Sequence, residues 1–127
     1  MVLEFTATEA STTEEFDTVI SGARGSEDSS GHFQYVVFQR GVTLGDDDDW
    51  GVHLEYSDQI NSGYNCISQC EVSRSHLEIH LSKPFDRLPN IRCFKITFDI
   101  GDEAYSSFVK GLNHIFSDQN EIYRVIV

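Results

Sequence analysis

Short runs of alternating apolar and polar residues, separated by turn chemistry, give way near the C-terminus to one stretch with the apolar period of a helix. These observations predict an α+β fold: a mostly antiparallel sheet of about seven to eight strands, with one amphipathic helix near residues 102–116 packed on one face. A chain of 127 residues can close one hydrophobic core, so residues 1–127 read as a single domain. Nine Phe and five Tyr fill much of that interior and argue against a disordered chain.

Residues 2–7 alternate Leu3, Phe5 and Ala7 against Val2, Glu4 and Thr6, as a half-buried strand does. Residues 16–20 read as a second strand, and the flanking "TEASTTEE" and "SGARGSEDSSG" as turn or loop, the latter a mobile surface loop. "HFQYVVFQR" is apolar on both faces and reads as a central strand covered on both sides. Trp50, Val52, Leu54 and Tyr56 share one face of the next strand, with His53 and Glu55 on the other. "SDQINSG" reads as a turn or short loop. "CISQCEVSRSHLEIHLS" gives two strands around a tight turn near Arg74, with Leu77, Ile79 and Leu81 inward and His76, Glu78 and His80 outward. "KPFDRLPN" interrupts the pattern because proline donates no ladder hydrogen bond, and "IRCFKITFDI" resumes it. Tyr105, Phe108, Val109, Leu112, Ile115 and Phe116 then form a helical stripe, with Asp99 or Asp102 placed to cap its start. Gly111 within the stripe predicts a close packing contact, since Gly costs a helix about 1 kcal/mol relative to Ala. "EIYRVIV" reads as a last strand.

Twenty-one acids against nine Lys and Arg give a formal net charge of -12. Such a surface repels phosphate backbones, so direct nucleic-acid binding is not expected, whereas a basic partner would be drawn in. Neither a targeting signal nor a run of about 18 apolar residues is present, which predicts a soluble, cytoplasmic protein with no membrane partner. Cys66, Cys70 and Cys93 form no disulfide framework and suit a reducing compartment.

Zinc prefers the residue types of Cys66, Cys70, His76 and His80, but on extended strands a four-residue spacing parts two side chains by roughly 13 Å. A small metal- or ligand-binding module using the Cys66, Cys70 and His76 region is therefore the alternative reading, and no metal or cofactor is expected on the leading one. Calcium suits "DDDDWG" poorly, because an EF-hand loop beginning at Asp46 would put Trp50 and Ser57 where oxygen ligands belong. No nucleophile has an evident base, so the chain is not read as an enzyme and no residue as catalytic. What remains is an interaction surface: Asp48, Asp49, Trp50, Glu55, Asp58, Gln59 and Tyr64, aromatic anchors ringed by charge, are the expected partner-binding residues. Trp50 and Tyr56, in phase with Val52 and Leu54, equally suit the core, which leaves Tyr64 as the better exposed anchor.

"VVFQR" at residues 36–40, "WGVHLEYSDQINSGY" at 50–64, "VSRSHLEIHL" at 72–81 and "FDIGDEAYSSFVKGLNHIF" at 98–116 together resemble the immunity protein 10 family of bacterial polymorphic toxin systems. The resemblance implies an antitoxin that binds a cognate toxin domain and protects the producing cell, and it carries over no catalytic residue. Docking on a basic toxin surface, for which a nuclease is the natural candidate, would join that role to the acidic charge. The exposed sheet edges and "YRVIV" leave both monomer and homodimer open.

Overall fold

A computed structural model describes residues 1–27 and 29–127. In chain order the elements are β1 (Val2–Ala7), β2 (Glu9–Glu15), β3 (Thr18–Glu27), β4 (Phe33–Gly41), β5 (His53–Tyr56), β6 (Asp58–Tyr64), β7 (Ile67–Val72), β8 (His76–Leu81), β9 (Cys93–Phe98), α1 (Asp102–Ile115) and β10 (Tyr123–Val125). The strands form two five-stranded sheets, ordered β1-β9-β8-β7-β10 and β2-β3-β4-β5-β6. The fold is thus α+β as predicted, but ten strands in two sheets replace the expected single sheet of seven to eight.

Within each sheet the strands that follow one another in the chain pair antiparallel, while β1 and β10, the first and last strands, run parallel to β9 and β7 and so bracket one sheet. Facing side chains of the two sheets make the core. Val36, Phe38, Leu54 and Tyr56 come from one; Leu77, Ile79, Phe94 and Ile96 come from the other. Tyr56 meets Phe94 with ring centroids 4.9 Å apart. The helix closes the open side: Phe108 packs edge-on against both Phe38 and Phe98, and Phe116 stacks on Tyr123.

Both segments read as turns, "TEASTTEE" and "SDQINSG", are strands, β2 and β6, and they form the two edges of one sheet. An edge strand is held by backbone pairing on one side and buries few side chains, so it carries little apolar alternation. The segment expected as a strand from residue 16 begins instead at Thr18 and continues to Glu27, through most of the segment expected as a mobile loop; Asp28 of that segment lies outside the described residues. Strand β4 is central, but its Tyr35, Val37 and Gln39 face is only half covered. Trp50 does not join the buried face of β5, because Gly51 at φ 92° turns the chain before the strand starts.

Neither Asp99 nor Asp102 caps α1. The N-cap is Gly101 without a side-chain bond, and Asp102 accepts from Arg74, 2.9 Å away. Gly111 does mark a close approach, as expected. A Cβ there would stand 2.0 Å from Ser21 Oγ and 2.2 Å from Thr12 Oγ1, two hydroxyls that share a 2.7 Å hydrogen bond. Gly111→Ala should accordingly destabilise the protein by about 1–3 kcal/mol despite alanine's helix propensity. Urea denaturation checks this: a gain in stability would contradict the packing.

Candidate functional site

Arg40 ends the inward row of β4, and its guanidinium is almost wholly buried. Nε and Nη2 donate to the two oxygens of Asp49 at 3.1 and 3.0 Å. Nη1 and Nη2 donate to Asp118 at 2.6 and 2.9 Å, and Nη1 also donates to the Ile115 carbonyl at 2.9 Å, at the C-terminal end of α1. All the donors of the fork are thereby matched, the condition under which a charge tolerates burial.

Asp49, the last acid of "DDDD", turns inward with its side chain 5% exposed. Its carboxylate also accepts from the backbone N–H groups of Gly45 and Gly51, and so folds the loop around itself. Arg40 first, then the Gly45 N–H, hold its carboxyl well below the usual carboxylate range against the opposing effect of burial. Hydrogen bonding from Arg40 lowers that of Asp118 as well. Asp46, Asp47 and Asp48 remain exposed, with Asp48 N–H bonded to Asp46 Oδ1 at 2.8 Å.

The loop forms one wall of a groove of about 520 Å³ on the solvent side of the β2–β6 sheet, lined among others by Phe16, Asp17, Gln39, Asp46, Asp48, Trp50, His53 and Tyr64. Trp50 is 68% exposed and Tyr64 53%. Their rings lie 5.8 Å apart, and Tyr64 rests on His53 at 4.7 Å. Burial lowers the His53 pKa, opposed by Glu55, and the ring's Nδ1 is buried without a hydrogen-bond partner among the described residues. Asn65, at φ 54°, fixes the tryptophan's backbone by donating to its carbonyl at 3.1 Å.

Phe16 was not singled out by its sequence, yet it is 99% exposed on the same rim. It forms with Asp17 the two-residue turn between β2 and β3, and both have positive φ, 50° and 61°. Two-residue hairpins demand such angles and usually obtain them from Asn or Gly. A phenylalanine there is an unfavourable backbone choice. Its sequence signal was faint, a Phe-Asp pair without Asn or Gly where the polar β2 meets β3.

Of the expected partner-binding residues, Trp50, Tyr64 and Asp48 line this groove. Glu55 lies on the same sheet face, bonded to the Tyr35 hydroxyl, and burial followed by Glu55 raises the pKa of that tyrosine. Asp58 and Gln59 are exposed at the start of β6, beyond the groove lining. Asp49 also borders the groove, with its charge committed to Arg40.

The alternative cluster is not assembled. Cys66 and Cys70 are buried free thiols whose pKa burial raises, while His76 is exposed and bonded to Ser75. Among the described residues the candidate metal ligands that do converge are Glu78, His80 and Cys93. Among the described residues no helix is long and apolar enough to cross a membrane.

The two-sheet fold thus carries an acidic groove rimmed by exposed aromatic side chains. The family description Immunity protein 10 matches residues 5–106, and the chain belongs to that family. Membership makes it an immunity protein, and the family implies a non-enzymatic role in which a toxin protein is bound. No curated protein and no solved structure matches the chain.

Asp49→Asn should cost about 3 kcal/mol near neutral pH, because it strips one carboxylate from a buried guanidinium. A depressed folded-state pKa contributes stability above the ordinary carboxylate range and loses it as pH falls through the folded value. The gap between wild type and variant should therefore narrow from about pH 5 downward. Urea titrations across that window test this, and a gap independent of pH would contradict it.

Proposed function

We propose that this immunity protein neutralises its cognate toxin by docking the groove side of the β2–β6 sheet onto a basic surface of the toxin, a nuclease being the natural candidate. The observation that carries the reading is a coincidence of place. Three of the largest exposed apolar side chains, Phe16, Trp50 and Tyr64, line a single groove together with Asp17, Asp46 and Asp48. Monomeric surfaces rarely gather large apolar side chains, and aromatic anchors inside a charged rim are the composition of binding hot spots.

Charge and aromatics divide the work. The net charge of -12 draws a cationic partner in and speeds encounter, an effect that salt screens. Once docked, the rings exclude water and set the dissociation rate. Toxins that act on nucleic acid need a cationic cleft, and covering that cleft with carboxylates blocks substrate without any chemistry. The buried Arg40 anchor fits this role by holding the loop rigid before contact, which reduces the ordering cost of association.

The binding test uses the cognate toxin domain. Trp50→Ala and Tyr64→Ala should each weaken affinity by about 30-fold or more with little change in thermal stability. Association should slow markedly with added salt while dissociation changes less. Wild-type affinity in both variants would move the interface elsewhere.

Strain at the hairpin separates function from stability. Replacing Phe16 and Asp17 by Asn-Gly should raise stability by about 1 kcal/mol, because that pair suits the turn, and should weaken toxin binding. A variant that is stabilised yet binds as wild type would exclude Phe16 from the interface.

A further inference from the structure

The other sheet carries a group of residues that lies outside the proposed docking groove. Glu78 and His80, two apart on β8, project from the outer side of the β1-β9-β8-β7-β10 sheet, and the β8–β9 register sets Cys93 directly across from His80. The three functional atoms converge on one point: His80 Nε2 lies 3.1 Å from Glu78 Oε1 and 3.9 Å from Cys93 Sγ, and Sγ lies 4.0 Å from Oε1.

Two chemistries use these residue types. A nucleophilic relay needs the acid on one imidazole nitrogen and the thiol on the other. Here both face Nε2, so the acid cannot orient the ring toward the thiol. A tetrahedral metal, in contrast, needs lone pairs of different residues directed at a common centre. Around zinc, with bonds of about 2.0 to 2.3 Å, ligand atoms stand roughly 3.3 to 3.6 Å apart, within a few tenths of an ångström of the separations here.

We propose that Glu78, His80 and Cys93 form a binding site for a thiophilic divalent cation, zinc being the fitting one, with a fourth position open to solvent. Sulfur, nitrogen and oxygen donors are those zinc accepts, and three protein ligands define an open site. Cys93 is 7% exposed and lies beneath the half-exposed Glu78 and His80, so an ion can enter from solvent and still meet a sheltered sulfur. Binding releases the thiol proton, and the cation stabilises a thiolate that burial and then Glu78 disfavour, with Lys95 and the N-terminal ammonium giving only partial relief. Lys95, whose Nζ lies 3.9 Å from Glu78 Oε1, is half exposed and free to swing away. The ion would clip β8 to β9 where β9 also receives the first strand, Val2 pairing with Cys93. The site lies on the other sheet from the groove, so its failure would leave the toxin-binding proposal standing.

Cobalt(II) is the probe. Reduced, chelator-stripped full-length protein titrated with cobalt chloride should develop a thiolate-to-cobalt charge-transfer band and intense tetrahedral ligand-field bands at one equivalent, and zinc should abolish both. Cys93→Ser should remove the charge-transfer band. His80→Gln, at a half-exposed position that leaves the fold intact, should weaken cobalt binding by roughly 100-fold or more, since even outer-sphere changes at metal sites cost 10- to 100-fold. Absence of any cobalt absorption in the folded wild-type protein, or wild-type spectra and affinity in His80→Gln, would overturn the assignment.

Discussion

The buried guanidinium of Arg40 is the interaction on which the geometry of the groove depends. Removing such a charge from water is costly, and the structure offsets the cost with a matched acceptor for every donor. Those acceptors come from two regions far apart in sequence: the loop that follows the strand, and the last turn of the helix with the residues just beyond it. One side chain thus ties the loop that presents Trp50 to the helix that closes the core. Because the helix's free carbonyls carry partial negative charge, Arg40 also completes that terminus, a position where cations are favoured.

The four consecutive acids show how one composition can serve two ends. Asp49 is held down by Arg40 and by two glycine N–H groups, while its neighbours remain in water. Only the arrangement of partners distinguishes them, since the side chains are identical. The exposed three supply field, and the buried one supplies shape. Phe16 shows the converse economy: a bulky ring placed in a backbone conformation that suits Asn or Gly, fully in water, on the rim of the same groove.

Apolar period made much of the fold legible. Strands β1, β7, β8 and β9 and the helix α1 carry strong alternation or a strong stripe because they bury side chains against the core, and their positions follow from that burial. The edge strands β2 and β6 were not legible, because backbone ladders hold them and their Ser, Thr, Glu, Asn and Gly side chains imitate turns. The division into two sheets is set by the paths of the connections, which no local pattern records. At the site, Trp50 and Tyr64 were readable as aromatics beside acids, but the inward turn of Asp49 depends on Arg40, which is nine residues away in sequence and carries no local mark. The convergence of His80 on Cys93 depends on strand register in the same way.

The two outer faces of the sandwich therefore differ in chemistry. One gathers exposed rings and carboxylates around a groove; the other carries paired charges, His80 and a sheltered thiol. That the groove face meets the toxin is the central claim, and hydrogen–deuterium exchange on the complex reports on it most directly. Slowed exchange on toxin binding is expected at the 16–17 turn, the 45–51 loop and the end of β6, with the outer face of β8 and β9 unchanged. Protection confined to β8 and β9, with the loop exchanging as in the free protein, would contradict the account.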